Sequence, residues 1–226
     1  MATDTDRAGG VGMHGAETRD ATAGRAATAA ELASEGARVI ADPAPLGLAG
    51  FGLTTFVLSL VNAKVLPATT EPIVLGLALA YGGGAQLLAG MWEFRKGNTF
   101  GATAFASYGA FWISFWAYVT FYAKSVPTAD AGKGVGWYLI SWGIFTTLMW
   151  FASFRTTAAL VALFALLAAT YYFLGAGELA GAATIGKIGG WLGIITAIVA
   201  WYTAAAGVLS STFGRAILPN PALRRV

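Results

Sequence analysis

The chain has 226 residues, 57% of them hydrophobic and 11% charged, with a formal net charge of +3. A soluble domain carries about 25% charged residues, so this chain lacks the side chains to clothe a water-exposed surface of its size. Eleven of its charges fall in residues 1–42, which leaves 14 for the remaining 184. That composition points to an integral membrane protein. The charge is too small and too dispersed for a nucleic-acid partner. With no cysteine, disulfides and thiolate metal sites are excluded. The single histidine, His14, lies in a polar N-terminal stretch and reads as solvated. No metal and no cofactor is expected.

Residues 1–41 are rich in Ala, Thr and Gly and hold no long apolar run, so they read as a disordered or weakly helical tail, with an alanine-rich helix possible over Ala21 to Val39. No signal peptide is visible. Six apolar spans follow, at about 46–66, 72–94, 101–123, 135–154, 157–175 and 189–211. Each is long enough to cross a hydrocarbon core of about 30 Å as helix. The breaks between them, LPATTEP, EFRKGN, AKSVPTADAGKG, SFRT and GELAGAATIGK, carry turn residues and charge. The expected architecture is all-α and polytopic: a six-helix transport domain over 42–219, with a short C-terminal tail at 220–226.

Charges near the span ends set the orientation. One side gathers Arg38, Arg95, Lys96, Arg155, Arg215, Arg224 and Arg225; the other has Lys64, Lys124, Lys133 and Lys187. The positive-inside rule then places both termini in the cytoplasm. Lys64 and Glu93 sit near span ends, where long side chains can snorkel. No acid, lysine or histidine is expected at mid-membrane, which argues against a pump or a tightly proton-coupled carrier and favours a passive channel. No phosphate-binding loop and no nucleophile–base pair is present, so the chain is not expected to be an enzyme.

Polar residues within the spans repeat at helical spacing. Phe51, Thr55, Ser59 and Asn62 share one face of the first span. Gly82, Gln86, Gly90 and Glu93 share one in the second; Thr103, Ser107, Ser114 and Tyr118, with Tyr108 adjoining, in the third; Thr196, Ala200, Thr203, Gly207 and Ser210 in the sixth. Such stripes fit either a polar path or the close packing of helices through small residues. Gly82–Gly84 read as a close contact or a helix distortion.

The stretch DPAPLGL, Asp42, Pro43, Ala44, Pro45, Leu46, Gly47 and Leu48, closely resembles the NPAPLGL signature of the acetate uptake transporter family. YGGGAQLLAGMWEFRKGNTFGATAFASYGAFW (81–112), GWLGIITAIVAWY (190–202) and FGRAILP (213–219) resemble further segments of that family. The resemblance covers residues 41 to 219. It implies six transmembrane helices in each protomer of a homohexamer, and a path in each protomer for acetate and related short carboxylates, including succinate. It implies either an anion channel or a proton-coupled symporter, in the cell membrane. A neutral-solute path for ammonia and a membrane sensor are the remaining alternatives. The family's hydrophobic constriction of Phe, Tyr and Leu maps here to Phe51, Tyr108 and Leu160, and its helix-six selectivity position to Ala200.

Asp42 departs from the familiar Asn. It can cap the first helix, while its charge would oppose an anion at that mouth. The helix N-terminus that follows is itself a candidate carboxylate seat. Gly47, Gly50 and Gly52 give either close helix approach or access for a small anion. Thr55, Ser59, Ser107 and Tyr108, with Gln86 beside them, would replace part of a carboxylate's hydration shell.

Overall fold

The computed structural model describes residues 40–223, with Gly24, Arg25 and Thr28 ahead of them. The tail expected over 1–41, including most of the alanine-rich segment, lies outside the described residues, as do Arg38, Arg224 and Arg225. Among the described residues the regular structure is helical. The one β-type pairing is an isolated bridge between Thr157 and Ala222.

Over residues 40–223 the α-helices run in order: α1 Ala44–Asn62, α2 Pro72–Leu79, α3 Gln86–Lys96, α4 Thr99–Ala117, α5 Thr128–Ser153, α6 Ala158–Ala180 and α7 Ala183–Phe213. A π-helical segment, Ala80–Ala85, joins α2 to α3 into one rod, and a second, Tyr118–Tyr122, extends α4. In hydrocarbon the backbone must satisfy its own hydrogen bonds, and helices do so. The breaks carry the expected chemistry. Gly97 (φ 79°), Gly181 (φ 60°) and Gly214 (φ 65°) close α3, α6 and α7 in the left-handed region that glycine tolerates. Asn98 and Thr157 cap α4 and α6 through their side chains.

Among the described residues, five segments are long and apolar enough to cross a membrane: Ala44–Asn62, Ala68–Lys96, Thr128–Ser153, Ala158–Ala180 and Ala183–Phe213. The expected third span is the exception. Helix α4 carries no charge, but its Gly, Ser, Thr, Tyr and Trp residues lower its hydropathy. The last helix is also longer than the apolar run alone suggests, because it begins at Ala183 and continues through Thr184–Gly190.

Packing is organised around α1, which lies against α7 on one side and against the α2–α3 rod on the other. Helix α7 also packs on α6, and α6 on α5, while α3 pairs with α4. The backbones of α4 and α5 stand farther apart, and aromatic side chains bridge them. Glycines make the close approaches. A Cβ at Gly90 would stand 2.6 Å from the backbone nitrogen of Ala106, and one at Gly109 would stand 2.7 Å from that of Leu87, so α3 and α4 touch main chain to main chain. The triple glycine serves both expected purposes. It lies in the π segment, and Gly82 meets Thr54 so closely that a Cβ would come to 2.5 Å of its Oγ1.

Gly90→Ala should therefore destabilise the fold by about 1–3 kcal/mol, the usual cost of overpacking. Gly76→Ala has open space around it and should be tolerated. Thermal unfolding of the detergent-purified variants, followed by tryptophan fluorescence, reads the contrast.

Candidate functional site

The N-terminus of α1 is built from the DPAPLGL stretch. Pro43 is the N-cap and Pro45 lies in the first turn, where a missing N–H is harmless. The N–H of Ala44 donates to Asp42 Oδ1 at 3.0 Å, and the N–H of Gly47 to the Pro43 carbonyl at 3.2 Å. The candidate carboxylate seat at this helix end is thus already occupied by the chain's own carboxylate. Lys96 Nζ donates to the same Asp42 oxygen at 2.8 Å, which offsets the charge that Asp introduces at this mouth.

The glycines around Phe51 serve helix approach. A Cβ at Gly47 would lie 2.6 Å from the Phe105 ring, one at Gly50 2.7 Å from the Tyr81 carbonyl oxygen, and one at Gly52 2.8 Å from the Trp201 indole. Three neighbours therefore close on α1, and Phe51 itself is buried.

Two cavities lie in the bundle. The larger, about 450 Å³, is bounded by the C-terminal halves of α1 and α6, the end of α4 and the start of α5. Phe51, Thr55, Ser59 and Asn62, the whole polar stripe of α1, line it. Thr170, Tyr138 and Tyr171 face them, and Glu71 and Glu178 stand toward its outer end. The smaller, about 70 Å³, lies toward the opposite ends of α1 and α6. Ala44, Leu48, Gln86, Asn98, Tyr108 and Leu160 are among its walls. Phe51 and Leu167 border both. The two cavities approach each other across these two side chains.

The family model described as the GPR1/FUN34/yaaH family matches residues 25–223. The chain belongs to the GPR1/FUN34/yaaH family. Ammonia transport outward protein 2 of Saccharomyces cerevisiae is 44% identical over 173 residues, which cover 74% of this chain and 61% of that protein. Acetate permease A of Emericella nidulans is 44% identical over 198 residues, 81% of this chain and 66% of that one. The succinate-acetate/proton symporter SatP of Escherichia coli K12 is 41% identical over 180 residues, 80% of this chain and 95% of that one. The chain thus spans less than two thirds of the two fungal relatives and nearly all of the bacterial one. A solved structure described as that of the bacterial acetate channel SatP matches with a TM-score of 0.76 at 40% identity, over 80% of this chain and 99% of that chain. The resemblance carried by DPAPLGL is confirmed, and with it the all-α membrane fold.

Within this GPR1/FUN34/yaaH chain the expected site residues separate into groups. Phe51 and Tyr108 meet directly, with ring centroids 6.0 Å apart. Tyr108 is 2% exposed and its hydroxyl lies 2.9 Å from Thr146 Oγ1. Thr146 donates its only hydroxyl proton to the Trp142 carbonyl at 2.7 Å, so Tyr108 is the donor to Thr146. Its proton is committed within the protein. Leu160 lines the smaller cavity but lies two helical turns before Leu167, the leucine of α6 that borders both cavities. Leu167 is not among the expected site residues; it lies seven residues from Leu160, on the same face of α6.

Thr55 and Ser59 line the larger cavity and Gln86 the smaller. Thr55 Oγ1 and Gln86 Oε1 are buried and have no hydrogen-bond partner in the protein. Ser107 is half-buried and borders neither cavity, and Ala200 is fully buried in the packed core. The stripe of α7 is likewise spent on packing: Thr196 and Thr203 donate to carbonyls four residues back, at 2.8 Å each. Glu93 corrects the snorkelling expectation. It is 0% exposed, because Gly97 turns the chain so that the start of α4 folds over it.

The pairing of Asp42 with Lys96 is half open to solvent, with side-chain exposures of 52% and 32%. A double-mutant cycle with Asp42→Asn and Lys96→Met should give a coupling energy of about 0.2–1 kcal/mol. The coupling should shrink as salt is raised, which unfolding titrations at two ionic strengths would read.

Proposed function

We propose that the two cavities are the halves of one path through each protomer, and that this path carries acetate and related short carboxylates, succinate among them, across the cell membrane. The observation that carries this reading is the pair Phe51 and Leu167, two apolar side chains bordering a cavity on either side. Such a neck passes a small solute by brief dewetting and holds back a larger one. The polar groups near it are neutral: Thr55 and Ser59 on one side, Gln86 and Asn98 on the other. Neutral donors replace part of a carboxylate's hydration without trapping it, as conduction requires. The acetate permease, the succinate-acetate symporter and the acetate channel among the relatives support the same substrate class.

In this reading α4 and its π extension also cross the bilayer, giving six crossings. The termini then share a side, and Arg95, Lys96, Arg155 and Arg215 favour the cytoplasm for it. The protomers assemble as a homohexamer, and the smaller cavity opens inward. Phe51, Tyr108 and Leu167 form the constriction; Leu160 stands on its inner approach. Proton-coupled symport is the second reading, favoured by the burial of Glu93 within the bundle.

Labelled-acetate uptake into proteoliposomes, with empty vesicles subtracted for leak of the undissociated acid, tests the reading. Saturable uptake is expected, and its absence would defeat it. In the same assay Leu167→Ala should raise succinate and lactate uptake relative to acetate several-fold, while Leu160→Ala should change that ratio less. Equal effects of the two variants would remove Leu167 from the constriction.

A further inference from the structure

Glu93 has no task in the path described above, yet its setting is specific. Neither carboxyl oxygen has a hydrogen-bond partner, and the side chain is fully buried. An unpaired charge in such a place is costly, so the site calls for a proton or a cation. Gly101 makes room for it. A Cβ there would lie 2.9 Å from Glu93 Cδ and 2.6 Å from Asn98 Nδ2, so both side chains converge on the bare first turn of α4. Asn98 and Gly101 also line the smaller cavity. The carboxyl therefore stands directly behind that cavity's wall.

The charged groups acting on Glu93 are Lys96, on the same rod, and Asp42, ahead of α1. These two pair with each other at 2.8 Å, so the lysine is already engaged by another carboxylate. Helix α4 brings no acid or base other than the hydroxyl of Tyr108, and α1 brings none. No fixed cation is thus dedicated to the Glu93 carboxyl.

We propose that Glu93 is the proton-binding site of the transport cycle, coupled to the carboxylate in the smaller cavity through the wall formed by Asn98 and Gly101. The proposal rests on the reading of that cavity as part of a carboxylate path. A carboxylate in the cavity repels an ionised Glu93, so anion and proton favour each other's binding, and the linkage is reciprocal. When the anion leaves, the Glu93 O–H bond breaks. The proton passes to water in the cavity and the electron pair stays on the carboxylate, toward which the Asn98 amide is placed to donate. Reprotonation from water resets the site.

The test uses the full chain in proteoliposomes with the voltage held at zero. Labelled-acetate uptake is measured with and without an inward proton gradient, and empty vesicles are subtracted. The wild type should show a several-fold stimulation by the gradient, and in Glu93→Gln the ratio should fall to unity. A wild-type ratio retained by Glu93→Gln would overturn the assignment. Acetate added to the purified, weakly buffered wild type near neutral pH should also cause proton uptake, read by a pH dye, whether or not the variant folds. No uptake would overturn the proposal. A wild type that moves no labelled acetate would defeat the transport reading itself, whereas wild-type flux with an unchanged ratio in Glu93→Gln defeats only the role of Glu93.

Discussion

The close approach of neighbouring elements to α1 is the constraint on which the rest of the bundle depends. Gly47, Gly50 and Gly52 present bare backbone to Phe105, Tyr81 and Trp201, and any side chain at these positions would hold those neighbours away. Between lipid-embedded helices there is no hydrophobic driving force comparable to that in water, so van der Waals contact at such positions carries much of the association. The same three glycines isolate Phe51 as the large side chain of that turn. A single run of sequence, GLAGFG, thereby sets both the packing of α1 and the side chain at the junction of the cavities.

Polar chemistry is distributed in the same economical way. Asp42 fills the N-terminal seat of α1 and is itself offset by Lys96. Tyr108 gives its proton to Thr146, which passes its own to a carbonyl of α5. Among the unpartnered groups on the cavity walls are the hydroxyl of Thr55 on one side of Phe51 and the carbonyl of the Gln86 side chain on the other. Both are neutral. In the proposed path such groups would bind a small anion weakly and leave size to the aromatic and aliphatic neck.

The fold was largely legible in the sequence, because apolar runs punctuated by Pro, Gly and charge translate almost directly into helices and turns. The site was legible where geometry amplifies the pattern. On α1 the four-residue stripe Phe51, Thr55, Ser59 and Asn62 falls wholly on the larger cavity. The stripe of α7 meets the packed core instead. A threonine in a helix can bond its own backbone four residues back, as Thr54, Thr170, Thr196 and Thr203 do, and then needs neither water nor substrate. Periodicity identifies a face, and it does not say what the face meets. On α6 the resemblance pointed to Leu160, which lines the smaller cavity, while Leu167 on the same helix borders both cavities.

Glu93 shows the other kind of blindness. By position in the chain it lies three residues before a helix end, close enough for a long side chain to reach water. The reversal at Gly97 and Asn98 sends α4 straight back across it, so proximity to a terminus in sequence becomes burial in space. Gly101 is as necessary to that burial as the acid itself, since a methyl there would strike both Glu93 and Asn98. The segment EFRKGNTFG therefore does more than connect two spans. Its turn seals a carboxyl behind the cavity wall, its lysine offsets the acid at the mouth of α1, and its asparagine serves at once as helix cap and cavity lining. Around the smaller cavity the charged groups thus stand behind or beside the wall, while the lining named there is neutral.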